Sequence, residues 1–239
     1  MRVADFEEWG MESGTSMSVK GHHVHQRHFD RLVMLSDGVF AIAMTLSAVE
    51  LKTEAQPGES LLHAWIGPLL TYFVSFAIIS SVWVRHRRTL AHLRHVDMPM
   101  TLISLLLLSL VALMPVVIRV LLSGAMGSGS TGMLVYSIAL MANYACLAAG
   151  WGYAAFIAQL APDVPRSRAW GWLLQELFVA IVFGAVALYS AQLKLAAVLV
   201  MLVGVGLRIA SVRLERSAKA GAAIVDEANA PHEGTNPGQ

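Results

Sequence analysis

The sequence predicts an all-α, polytopic membrane protein with six transmembrane helices per chain, and three observations carry that reading. Of its 239 residues, 56% are hydrophobic and only 14% charged, against roughly 25% charged in a soluble domain. The apolar residues gather into six stretches, 32–49, 63–84, 98–122, 133–158, 170–190 and 193–210, each near the ~20 residues that cross a bilayer's hydrocarbon core as a helix. The basic residues also sort by side. Of the 17 Lys and Arg, all but Lys52, Arg119 and Lys194 fall in the N-terminal arm, in two arginine-bearing links or at the C-terminal end. An even number of spans with that bias puts both termini in the cytoplasm.

Taken in order, residues 1–28 form a cytoplasmic N-terminal arm. Its first 14 residues carry Asp5, Glu7, Glu8 and Glu12 with no basic or continuous apolar run, so they do not read as a signal peptide. His22, His23, His25 and His28 lack neighbouring cysteines or ordered carboxylates and read as a solvated segment rather than a metal site. Residues 29–213 form the six-helix transmembrane domain. Pro57 and Gly58 interrupt the link after span one, and SGAMGSGSTG at 123–132 cannot continue a helix. On the opposite side, links 85–97 and 161–168 hold Arg85, Arg87, Arg88, Arg94, Arg166 and Arg168, with Pro162 and Pro165 breaking the second. Pro115 kinks span three. The tail, 214–239, is poor in large apolar residues and reads as disordered.

Several function classes are excluded by what the chain carries. A net charge of +1, with no basic stripe interleaved with aromatics, argues against nucleic acid as a partner. The single cysteine, Cys146, cannot make an intrachain disulfide. No nucleophile elbow, Walker loop or HExxH occurs, so the chain does not read as an enzyme. The two halves of the membrane domain share no evident motif, which weighs against an inverted-repeat transporter.

Span one holds the chemistry. RLVMLSDGVFAIAMTLSAVELK, 31–52, places Asp37 near the cytoplasmic end, and an intramembrane carboxylate finds a partner or faces water. At about 100° per residue, Leu35, Gly38, Ile42, Thr45, Leu46 and Val49 share one face, while Asp37 points nearly opposite. Such a stripe fits either a helix meeting its symmetry mates or ordinary packing. Span two ends in TYFVSFAIISSVWVRHRR, 71–88, with Trp83 and His86 on neighbouring positions of one face. In an antiparallel pair they reach Asp37's depth, so a network of Arg31, Ser36, Asp37, Trp83 and His86 is geometrically open. The same Trp and Arg residues also suit a plain headgroup anchor. Glu176 in span five reads either as an ion or proton ligand or as an acid paired with a nearby helix.

Two motifs, RxxxxSDGVFAIAxTL and YxxSFxxxxxxWxxH, resemble the bacterial six-span TMEM175 potassium channels, whose signature is RxxxFSD on the first helix. The resemblance implies a homotetramer in the bacterial inner membrane, with the first helix of each subunit lining a central potassium-permeable pore and no TVGYG-type filter. It implies no cofactor beyond the permeant potassium ions. By motif, Arg31, Ser36 and Asp37 match the signature, and Trp83 and His86 match partners that hold the pore helix. Ile42 matches a hydrophobic constriction, and Thr45, Leu46 and Val49 continue the pore face outward. Two departures stand out: Leu35 replaces the signature phenylalanine, and Ser104 stands where a looser third-span pattern has asparagine.

Carbonyls in a continuous helix are already hydrogen-bonded, so side chains would have to form the constriction and, at Thr45, offer oxygens to a cation. Gly38, Ala41 and Ala43 would allow close helix approach. Two readings compete with the channel. One is a secondary transporter using Asp37, Glu176 or His86 for ion coupling. The other is a haem protein, which His63 and His86 near span ends serve poorly.

Overall fold

A computed structural model describes residues 4–49, 51, 60–124 and 129–228. Among them there is no strand, and the chain runs as α1 (Ala4–Val49), α2 (Leu61–Ala91), α3 (Met98–Ala112), α4 (Met114–Gly124), α5 (Gly129–Gly152), α6 (Arg166–Ser190) and α7 (Lys194–Ala228). Six spans are long and apolar enough to cross a membrane, with α3 and α4 forming the third together. The protein is therefore a multi-pass membrane protein.

The helices run past the hydropathy limits expected for them. Span two continues to Ala91 and span six to Arg213, because a helix keeps its own backbone bonds when it leaves the hydrocarbon for the headgroups. At the C-terminal end, α7 is helical through Ala228, where Ala, Leu and Arg are good helix formers. Residues 229–239 of the expected disordered tail lie outside the described set.

Local chemistry sets the breaks. Asp97 caps α3, its carboxylate accepting from the Met100 backbone N–H at 3.0 Å, with Pro99 in the first turn. Span three breaks between Ala112 and Met114, where Pro115 cannot donate to the carbonyl four residues back and its ring crowds it. At the end of span four the helix widens into a π turn over Tyr153–Ile157, closed by Ala158 N–H to Tyr153 O at 2.9 Å. Gln159 and Gln192 take positive φ, 50° and 66°, and reverse the chain after spans four and five. Gly132 lets α5 approach α4: a Cβ there would stand 2.9 Å from the Val120 carbonyl oxygen.

α5, α6 and α7 pack side by side, while α1 lies against α2, α3 and α4. The main core fills the space between these groups with Phe40, Ile79, Leu107, Val111, Ile118 and Leu140. The two arginine-bearing links meet at one end of the bundle. There the Arg94 backbone N–H donates to Leu160 O at 3.1 Å, and the Arg94 side chain pairs with Asp163 at 2.8 Å. That end also holds the N-terminal side of span one and the last turns of α2.

Candidate functional site

α1 has two faces. Leu32, Ser36, Phe40, Ala43 and Ser47 recur every three or four residues and are buried against the bundle. The other face carries Leu35, Gly38, Ile42, Thr45, Leu46 and Val49, all exposed on the single chain, with Ile42 at 63% and Val49 at 67%. The six residues of the expected stripe thus share one uncovered face. The Thr45 hydroxyl lies 2.9 Å from Ala41 O and 3.1 Å from Ile42 O and gives its one proton back to its own helix, which keeps its oxygen available as an acceptor.

The polar side chains of α1 meet α2. The Trp83 indole N–H donates to Asp37 Oδ1 at 2.7 Å. The Ser36 hydroxyl donates to Leu32 O at 2.8 Å and lies 3.3 Å from His86 Nε2. A hydroxyl has one proton to give. Which of Ser36 Oγ and His86 Nε2 donates depends on the tautomer of His86. Phe40 flanks the imidazole with ring centroids 6.1 Å apart. The Arg87 guanidinium lies 5.3 Å from the Trp83 ring centre, a cation–π distance.

Between the two helices a cavity of about 160 Å³ is lined by Phe29, Val33, Asp37, Trp83, His86 and Arg87 among others. Four of the five expected network residues are therefore brought together. Arg31 is not: it is exposed, and among the described residues it makes no ion pair with Asp37. One helical turn separates Arg31 from Leu35, so it continues the uncovered face instead of the buried one.

The structure adds a second cluster on the far side of α2. Glu176 on α6 is buried, and its carboxylate accepts from Arg85 at 2.8 Å and from Arg88 at 3.2 Å. Arg88 lies 4.4 Å over the Trp172 ring, and Arg85 5.6 Å over Tyr144. Glu176 is thus paired with a neighbouring helix, as one of its two readings has it. Sequence reasoning missed Arg85 and Arg88 as site residues because a run of arginines at the end of a span has the signature of a headgroup anchor. Their spacing of three, matched to one acid in another span, was the available signal.

Ser104 on α3 is buried, and its hydroxyl has no hydrogen-bond partner among the described residues. It lines a small cavity of about 10 Å³ that His86 also borders. No group of three or more His, Cys, Asp or Glu able to hold a metal occurs among the described residues. The side chains of His22, His23, His25 and His63 lie outside the described set.

Fold and site together define a six-span membrane protein whose first two helices are joined by a hydrogen-bonded polar cluster at one end of the bundle. Residues 31–115 match the family model described as TMEM175, the endosomal/lysosomal potassium channel. A potassium channel of Streptomyces collinus is 35% identical over 89 residues, covering 36% of this chain and 43% of the relative. The chain thus spans less than half the length of the curated relative it matches. No solved structure matches. The resemblance read from the SDGVFAIA stretch and the second-helix motif is borne out for residues 31–115, which match this family model. That segment runs from Arg31 to Pro115 and contains the entire α1–α2 polar cluster.

Proposed function

We propose that this protein is a passive, potassium-permeable channel of the bacterial inner membrane, a homotetramer with α1 of each subunit around a central pore and both termini cytoplasmic. The observation that carries the reading is the division of α1. One face is pinned to α2 by two polar contacts, and the opposite face presents Leu35, Gly38, Ile42, Thr45, Leu46 and Val49, all exposed among the described residues. Rings of Ile42, Leu46 and Val49 form apolar constrictions that gate by dewetting, and a ring of Thr45 oxygens meets a partly dehydrated cation. Ser36, Asp37, Trp83 and His86 hold the helix from behind, and Arg31 stands at the cytoplasmic mouth. The match of residues 31–115 to a potassium channel family supports the choice of ion.

The test is ion flux from liposomes containing the purified full chain, under potassium or sodium gradients. Flux that follows the ion gradient without saturating supports the channel. Saturable, substrate-coupled flux would assign the protein to the transporters, with Asp37, Glu176 or His86 as coupling groups.

A further inference from the structure

α2 carries two polar pairs on nearly opposite sides. At about 100° per residue, the mean direction of Trp83 and His86 lies roughly 160° from that of Arg85 and Arg88. The first pair reaches α1, at Asp37 and Ser36. The second reaches α6, at Glu176. All four residues lie within two turns, so a rotation of α2 about its axis moves both pairs together. With a helix radius of about 5–6 Å including side chains, a turn of roughly 30° displaces the side-chain tips by about 3 Å. That is enough to break the 2.7 Å bond from Trp83 to Asp37.

Apolar packing sets part of this rotation, with Ile79, Val82 and Leu90 buried. α2 leaves Trp65, Ile66, Leu70, Phe73, Val74 and Val84 exposed, and lipid tails offer those side chains as good a surface as another helix does. Polar ties to α5 and α6 add to it. Ser75 meets the Tyr136 hydroxyl at 3.1 Å, Ser81 meets the Tyr144 hydroxyl at 2.6 Å, and Glu176 receives both arginines. Of these ties only the last is ionic and lies level with Trp83 and His86. The Glu176 side chain is 4% exposed and those of Arg85 and Arg88 are 21% and 33% exposed. Without its charge, the buried carboxylate no longer draws both guanidinium groups to one point on α6, and the tie that sets the rotation of α2 at this level is weakened.

We infer that Glu176 is a positioning residue: by holding Arg85 and Arg88 it sets the rotation of α2 that presents Trp83 and His86 to α1. The structural part stands on this geometry, and its consequence for conduction rests on the channel reading above. The full chain labelled with 5-fluorotryptophan tests it by fluorine NMR, with the Trp83 resonance assigned through Trp83→Phe. Glu176→Gln is expected to move the Trp83 resonance, and so is Asp37→Asn. Conductance of the double variant should depart from the product of the single effects by at least about threefold, as for coupled sites.

A merely structural Glu176 would lower thermal stability and leave the Trp83 resonance in place, and that result overturns the inference. If Glu176→Gln fails to fold, Arg88→Lys, which keeps the charge but loses the fork, serves as the second variant under the same criterion. A moved Trp83 resonance in a protein that passes no potassium would retain the positioning role and remove the channel reading. A conducting protein with an unmoved resonance and multiplicative effects would do the reverse.

Discussion

Ser36 and His86, fifty residues apart in sequence, are joined at 3.3 Å in the buried seam between α1 and α2. The Ser36 hydroxyl also lies 2.8 Å from the Leu32 carbonyl oxygen one turn back. The neighbouring Asp37 accepts from Trp83 in the same seam. Two successive residues of α1 are thus read by two residues of α2 one turn apart, which fixes both the height and the rotation of the helix.

Asp37→Asn is expected to weaken the protein more than it alters which ion passes. The indole of Trp83 keeps an acceptor but loses a charged one, and hydrogen bonds to charged groups contribute about 1.5–3 kcal/mol. Thermal unfolding in detergent, with size-exclusion chromatography for assembly, measures the loss. An Asp37→Asn protein that assembles and melts like the wild type but changes its potassium-to-sodium preference would place the acid in the ion path.

Ser104→Ala is expected to raise thermal stability. The hydroxyl is buried without a partner among the described residues, and a buried polar group left unsatisfied costs about 1–3 kcal/mol. A fall in melting temperature would show that the hydroxyl is satisfied, by a water in the small cavity it shares with His86.

The two ion-pair sites at this end of the bundle should respond differently. Arg94 and Asp163 are 65% and 71% exposed, and surface pairs of that kind contribute about 0–1 kcal/mol. Arg94→Ala is therefore expected to leave the melting temperature nearly unchanged. Arg88→Ala removes one of the two guanidinium groups on a buried carboxylate and a ring contact to Trp172, and should lower it clearly. Equal effects of the two substitutions in one melting series would contradict this ranking.

Replacing Ile42 with serine should raise potassium conductance by roughly tenfold, the effect of lowering a barrier by about 1.4 kcal/mol. A ring of hydroxyls wets a constriction that a ring of sec-butyl groups keeps dry. Single-channel recording in planar bilayers measures it, and an unchanged conductance would move the narrow point away from residue 42.

The spans were legible in the sequence because a bilayer demands about 20 apolar residues at a time, a pattern that survives without any knowledge of packing. The Trp83–Asp37 contact was legible as one of two readings through depth: an acid near one end of span one and an indole near the matching end of span two can meet if the two run antiparallel, and the same indole also suits a headgroup anchor. Arg31 was not, since the signature groups it with Ser36 and Asp37 although its angular position follows Leu35. The Glu176 clasp was hidden for a different reason. Which face of α6 meets α2 depends on how all six spans pack, and Arg85 and Arg88 satisfy the positive-inside pattern whether or not an acid awaits them.

The uncovered face of α1 is proposed to line a potassium path. Its most direct test is the potassium current of the purified full chain with Ile42→Cys in a Cys146→Ala background, recorded before and after a membrane-impermeant thiol reagent is added to the aqueous phase. The account predicts that the reagent reduces the current, because residue 42 faces the conduction path, and that the Cys146→Ala protein alone is unaffected. A robust potassium current that the reagent leaves unchanged at position 42 would contradict it, as would a protein that carries no potassium current at all.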